Sequence, residues 1–328
     1  MSRKYVVLMV SVFMGLIWSC DVSEADNTAS IEASLMRSIA ADDSTYGIDG
    51  MEDIEDDDFA LEWVTEASPA GSSIVTESLR DSNYVWRFSR RNMSETREVI
   101  IEVEDDSSAL ALITYHITGT FHIRQFQRVW TNRDHFERGD SVRFSEKPID
   151  MTSNRRVAYR KRHNAAGEEE WLPVAMTHAY SQSGNSVDIE AMEWVMEDSV
   201  KVMTDFASVL YDRRRPLLLS LAGTNRINIL VSNNVPGASE RLTSRLGYHP
   251  RMDGPGLRNH LRLNYVETND IGYKIYSTRI MPPSYPQRHF KGFVEVMDHR
   301  TLFDHDYAFY SVATLGFVYT ARYQVSPE

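Results

Sequence analysis

The sequence predicts a mainly β protein with some α: an α+β domain over residues 59–204, followed by an immunoglobulin-like β-sandwich over 205–328. Three observations carry this. Residues 108–124 alternate with period two, with Ala109, Ala111, Ile113, Tyr115, Ile117, Phe121 and Ile123 against Thr114, His116, Thr118, Thr120, His122 and Arg124. Alternation of that kind places one face of a strand on a core and the other toward solvent. Turn signals then recur: Asp105-Asp106, Asn164-Ala165-Ala166-Gly167 and Ser183-Gly184-Asn185 separate further apolar runs. From Asp205 onward the helical pattern disappears, and seven short candidate strands are punctuated by Asn-Asn, Pro-Gly, Asn-Asp and Pro-Pro.

Taken in order, Phe59–Ala67 and Ser72–Leu79 are predicted to be short helices packed on a curved antiparallel sheet. The sheet is predicted from strands at 97–104, 108–124, 155–163, 171–180 and 186–196. The second half is predicted to contribute strands at 205–211, 216–221, 226–232, 257–266, 272–280, 290–297 and 307–323. The join from Val195 to Tyr211 holds neither Gly nor Pro, so it reads as a packed connection with Met203–Phe206 buried, rather than as a flexible linker.

The N-terminus follows a different logic. Arg3 and Lys4 precede an apolar run from Val6 to Trp18, too short for a membrane-spanning helix of about 20 residues. Leu16-Ile17-Trp18-Ser19-Cys20 resembles a bacterial lipobox, with an aliphatic residue at −3, a small one at −1 and the obligatory cysteine at +1. The resemblance implies a lipoprotein signal peptide over 1–19, cleavage before Cys20, and acylation of the Cys20 thiol and of the new amino terminus. Several acyl chains are what durable anchoring requires, because one chain binds only marginally. Cys20 is the only cysteine, so the mature chain is left without an intramolecular disulfide. The expected location is the bacterial cell envelope, lipid-anchored on the periplasmic side of a membrane or at the cell surface.

Residues 20–58 are predicted to be an acidic, disordered tether. Positions 21–58 carry 13 Asp or Glu against Arg37 alone, a net −12 equal to that of the whole chain. Such a segment buries too little apolar surface to offset its ordering entropy, apart from a short transient helix at 31–39. The run Glu52-Asp53-Ile54-Glu55-Asp56-Asp57-Asp58 lacks the turn framework that calcium demands, and reads as a solvated spacer.

Chemistry-bearing motifs are sparse. There is no His-Glu-x-x-His, no Cys-x-x-Cys, no Gly-x-Ser-x-Gly and no phosphate-cradling glycine loop. The metal candidate is Asp298-His299 with Asp304-His305-Asp306, since carboxylate and imidazole suit zinc or manganese; its bland alternative is a polar turn between strands. The ligand candidates are Trp86, Trp130 and Trp171 with Arg156 and Arg160. Aromatics on a concave sheet hold sugars or apolar ligands, and a basic strand edge meets anionic groups. Each has a structural alternative, core packing for the tryptophans and a charged sheet edge for the arginines.

No cofactor is implied, and nucleic acid is disfavoured because residues 59–328 are not basic. The partners left open, beyond the membrane itself, are a glycan, a lipid headgroup or another envelope protein. The function expected is a membrane-anchored lipoprotein acting as a non-enzymatic binding or assembly module. The alternative is an envelope enzyme acting on glycans or lipids.

Overall fold

The computed structural model describes residues 31–39, 57–59, 84–131, 136–196, 199–212, 217–220, 225–235, 240–248, 259–280, 287–303 and 309–322. Among these the protein is mainly β, arranged in two sheets whose strands are antiparallel except for one parallel pair. The elements are α1 (31–39), β1 (Asp57–Phe59), β2 (Tyr84–Asp105), β3 (Ser108–Trp130), β4 (Phe136–His163), β5 (Glu169–Met176), β6 (Ala179–Ser183), β7 (Val187–Met196) and β8 (Ser199–Met203). There follow β9 (Tyr211–Asp212), β10 (Leu217–Ser220), β11 (Asn225–Asn233), β12 (Glu240–Tyr248), β13 (Asn259–Arg262), β14 (Asn264–Thr268), β15 (Lys274–Ile280), β16 (Gln287–Asp298), α2 (His299–Phe303) and β17 (Val312–Arg322). The larger sheet runs β1-β2-β3-β4-β6-β17-β16-β12-β13, with β5, β9 and β10 attached at its sides; the smaller runs β14-β15-β11-β7-β8.

Period-two alternation in β3 does what it predicts. Ala109, Ala111, Ile113, Tyr115, Ile117, Phe121 and Ile123 are all buried. The flanking strands extend well beyond their sequence signals: β2 begins at Tyr84 and β4 at Phe136. Their polar N-terminal halves hide the strand pattern, yet pairing with β3 holds them, from Trp86 opposite Gln125 and Phe136 opposite Trp130 inward. Asn92, at φ 55°, sits in the bulge of β2 between Arg91 and Ser94, where the left-handed conformation suits asparagine.

Turn chemistry explains the connections. In the loop after β4, Asn164 Oδ1 accepts hydrogen bonds from the backbone N–H of Ala166 and Glu168, and Gly167 takes φ 82°. Between β14 and β15 the device recurs: Asn269 Oδ1 accepts from Ile271 and Tyr273, and Gly272 takes φ 94°. A short side chain closes the turn on its own backbone, and glycine supplies the positive φ. Gly184, between β6 and β7, combines φ 67° with a close approach, since a Cβ there would lie 2.8 Å from Tyr310 O.

Two cores lie on opposite faces of β16 and β17. On one face Val294, Val296, Leu315 and Phe317 meet Trp194, Ile227 and Ile229 of the smaller sheet. Trp194 is fully buried, donates Nε1–H to Leu218 O at 2.7 Å and meets Phe317 edge-on. On the other face Met297 and Val312 join the buried side of β2–β4 in the second core, together with Leu302 of α2 and Tyr310. Arg90 of β2 pairs with Glu295 of β16 on this face, although four strands stand between β2 and β16 in the sheet. Lys147 of β4 likewise donates to Arg300 O at 3.0 Å. The large sheet therefore curls on itself and encloses the second core.

Several expectations change at this point. Strands from both sides of position 204 share each sheet: β6 pairs with β17, and β7 with β11. The backbone is thus hydrogen-bonded across the position where the sequence suggests a division. Residues 205–208 form a turn, not a strand: Asp205 adopts φ 49° and its carbonyl accepts from Ser208 and Val209. Met203 and Phe206 beside it are buried, as the apolar join suggests. Strand β12, at Glu240–Tyr248, lies between the strands expected at 226–232 and 257–266, where no strand is expected. Of the two N-terminal helices expected at 59–67 and 72–79, only Phe59 falls within the described residues, and it ends β1.

The nine residues of α1 fall where a short transient helix is expected, at 31–39, and the helix is docked in the core instead of transient. Ile31, Leu35 and Ile39 recur at i, i+4 and i+8 on one helix face. Leu35 and Ile39 are fully buried in the second core, with Ile31 and Met36 packed against it. Apolar spacing within an acidic segment is enough to dock one short helix once a groove exists for it. Replacing Leu35 and Ile39 together by alanine should therefore destabilise the fold by about 4 kcal/mol, the scale of two buried large-to-small changes at the low end of their range. Urea denaturation of the protein measures this, and a change below about 1 kcal/mol would show that α1 is not docked.

Candidate functional site

The ligand and metal candidates are separated by the fold. Trp171 is buried in the second core, 3% exposed, with the Lys161 ammonium 5.9 Å from its ring. Arg156 and Arg160 are exposed on the opposite face, because Trp171 pairs with Lys161 while Arg160 pairs with Leu172. One step along a strand reverses the face. Trp130 pairs with Phe136 at one end of β4, and Lys161 lies near the other end, about 80 Å away along the strand at about 3.3 Å per residue. The backbone register places Trp86 opposite Gln125, toward the Trp130 end. These three tryptophans and two arginines do not converge.

Asp298 and His299 adjoin at the junction of β16 and α2, whereas Asp304, His305 and Asp306 lie outside the described residues. Both oxygens of Asp298 are engaged by Arg300: its Nη2 lies 2.7 Å from Oδ2, and its backbone N–H donates to Oδ1 at 2.8 Å. Burial raises the Asp298 carboxyl, but the hydrogen bonds from Arg300 outweigh it and hold the group below the usual range. Burial, with Arg241 next, pushes the His299 imidazole down to about 4. Among the described residues no three His, Cys, Asp or Glu side chains gather as metal ligands would. Asp298 instead belongs to a polar seam between the sheets. Asn233 of the smaller sheet reaches its Oδ2 at 3.4 Å, and Glu240 of β12 accepts from Lys274 at 2.8 Å and Tyr276 at 2.7 Å.

A second polar group, outside the residues expected to form a site, occupies the inside of the curl. One register row crosses five strands: Tyr115 opposite Ser153, Ser153 opposite Ser181, Ser181 opposite Thr314 and Thr314 opposite Glu295. All five are buried. At one end the Arg155 guanidinium donates to Tyr115 Oη at 2.5 Å and stacks 4.8 Å from its ring centroid. At the other end Arg90 holds Glu295. A signal existed. On the buried face of β4, Ser145, Lys147, Ser153 and Arg155 interrupt Ile149, Met151, Val157 and Tyr159, and polar residues on a core face need partners.

A third group surrounds His178, between β5 and β6. Its ring lies tilted against Tyr211 with centroids 4.4 Å apart and meets Phe206 edge-on at 6.2 Å, while Nε2 is buried without a hydrogen-bond partner. Burial, with Lys201 adding to it, pushes the imidazole down to about 3. Next to it Tyr180 hydrogen-bonds Asp188. Burial followed by that bond raises the phenol, and burial raises the Asp188 carboxyl.

No protein-family model, no curated protein and no solved structure matches this chain. The geometry therefore stands alone. It offers an enclosed polar row, an inter-sheet seam of paired charges and an exposed ribbon end.

Folded-state depression of His178 and His299 sets a pH dependence. The unfolded chain takes up protons as pH falls below about 6.5, while the folded chain resists until about 3 and about 4 respectively. Stability is thus fully present above pH 6.5 and lost progressively as pH falls toward these lower values. For His178 alone the loss between pH 7.5 and 4.5 should be on the order of 2–3 kcal/mol. His178→Phe keeps an aromatic ring against Tyr211 and Phe206 and removes the proton site. Urea midpoints measured at both pH values should show a smaller acid loss in this variant. Equal losses in the two proteins would refute the assignment.

Proposed function

We propose that this chain is a membrane-anchored lipoprotein of the bacterial cell envelope, acting outside the cytoplasm as a non-enzymatic binding or assembly module. The observation that carries the reading is the position of Cys20 relative to α1. Ten residues, 21–30, separate the lipobox cysteine from a helix packed into the protein core. Ten residues span at most about 35 Å. An acylated Cys20 then holds the folded body close to the bilayer, and not at the end of a long spacer. Among the described residues no helix is long and apolar enough to cross a membrane, so the lipid is the anchor this reading invokes.

A projecting surface supports the module part of the reading. Beyond Ile123 and Ser145 the β3–β4 pair leaves the buried core, and Val129, Val142 and Phe144 are about half exposed there. Arg124 stands over the Phe144 ring at 5.4 Å. Exposed apolar side chains with arginine on a protruding ribbon suit contact with another envelope component. The immunoglobulin-like character proposed for the second half draws support from the face-to-face packing of β16 and β17 on β7 and β11.

Cys20→Ala should remove acyl labelling and shift the protein from the membrane to the soluble extracytoplasmic fraction. A variant that still incorporates labelled fatty acid and sediments with membranes would end the anchor reading.

A further inference from the structure

The far end of the β2–β3–β4 ribbon differs in composition from the rest of the chain. Beyond the last buried pair, Ile123 and Ser145, β3 continues through 124–130 and β4 through 136–144. At about 3.3 Å per residue this carries the ribbon about 23 Å past that pair. The two stretches hold four arginines, Arg124, Arg128, Arg138 and Arg143, against two acids, Glu137 and Asp140. The whole chain, by contrast, carries a net charge of −12. The same stretches hold Phe126, Trp130, Phe136 and Phe144, and β2 brings Tyr84 and Trp86 opposite Gln127 and Gln125.

Apolar and cationic groups are mixed at this end rather than segregated. Val129, Val142 and Phe144 are 46%, 54% and 49% exposed. Arg124, itself exposed, stands over the Phe144 ring at 5.4 Å, and His122 meets the same ring edge-on. Register places Arg128 directly opposite Arg138, and like charges facing across two strands are unfavourable unless an anion lies near them. The complement of such an end is a surface that is dense in anions and apolar just beneath. A phospholipid bilayer has both layers. Arginine matches phosphate with its planar fork, and aromatic and aliphatic side chains settle at the boundary between headgroups and acyl chains. A bilayer also receives a narrow protruding end without any groove in the protein. Position favours the bilayer over a protein partner, since an acylated Cys20 holds the body within about 35 Å of it.

We propose that the end of the β2–β3–β4 ribbon binds the surface of an anionic phospholipid bilayer. Val129, Val142 and Phe144 enter the headgroup–acyl boundary, and the ribbon's arginines meet lipid phosphates. This deepens the reading of the ribbon as a contact surface and rests on it. A lipid at Cys20 and the ribbon end are then two separate attachments, which together bind more firmly than either alone and fix how the body faces the membrane.

The test uses the full chain with Cys20→Ala, which removes both the acylation site and the only cysteine. Either Val142→Cys on the ribbon or Val266→Cys on β14 is then added, and the thiol is labelled with the polarity-sensitive fluorophore NBD. Both valines are more than half exposed, so neither label enters a core. With vesicles of phosphatidylglycerol and phosphatidylethanolamine, emission at 142 should rise about threefold, while emission at 266 changes by less than about 20%. Vesicles of phosphatidylcholine alone, or about 0.5 M NaCl, should reduce the response at 142 about fivefold or more. Adding Arg124→Gln and Phe144→Ser, both at exposed positions, should weaken binding to the anionic vesicles about tenfold or more. Absence of a response at 142 would overturn the proposal and leave the ribbon to a protein partner. An equal response at 266, an undiminished response with phosphatidylcholine, or full binding by the Arg124→Gln, Phe144→Ser protein would overturn it too. Acyl labelling of Cys20 is read separately, so a failure of the anchor and a failure of the ribbon are distinguishable.

Discussion

Arg90 and Glu295 meet inside the protein although four strands separate β2 from β16 in the sheet. No flat sheet allows that contact. Much of the architecture follows from the curl that makes it possible: an enclosed second core, a face of β16 and β17 free to receive the smaller sheet, and a path for α2 across the opening. A buried ion pair is weak support for net stability, because the desolvation of both groups offsets much of their attraction. Removing one partner is another matter, since it strands a charge in the interior. The pair thus disfavours alternatives in which β2 and β16 part, and its role is better described as holding one geometry than as adding stability.

The curl also explains why polar residues gather where apolar ones are expected. A sheet with one buried face can fill it with aliphatic side chains, as β3 does. β4, β6 and β17 instead present Ser153, Ser181 and Thr314, with Lys147 reaching across the enclosed space to Arg300 O and Arg155 reaching Tyr115 on the neighbouring strand. Small side chains reduce crowding where a sheet bends inward, and long cationic ones span it. Both replace packing with hydrogen bonding, which makes the inside of the curl the part of the protein most dependent on correct pairing.

The two ends of the molecule differ in kind. Between the two sheets Trp194 packs on Phe317, and Lys274 faces Glu240 across the seam, beside the Asp298–Arg300 pair. The β3–β4 ribbon opens outward, beyond the last buried residues, and carries exposed valines and a phenylalanine.

Some of this was legible in the residues alone. Alternation in β3, the Asn-x-x-Gly turns at 164–167 and 269–272, and the buried join at Met203–Phe206 are local, and local rules determined them. Residues 31–39 carried their helical face openly, but whether that face had anything to pack against was not a local question. The same holds for the tryptophans and arginines, whose residue types suggested one site while the register sent Trp171 inward and Arg160 outward. The polar row is the clearest case. Tyr115, Ser153, Ser181, Thr314 and Glu295 are scattered between positions 115 and 314 of the sequence and become neighbours only through strand pairing. Sequence by itself determined the β character and the turns, because each rests on interactions within a few residues. Tertiary structure decided the curl and everything inside it, because register across non-consecutive strands depends on the whole sheet closing at once.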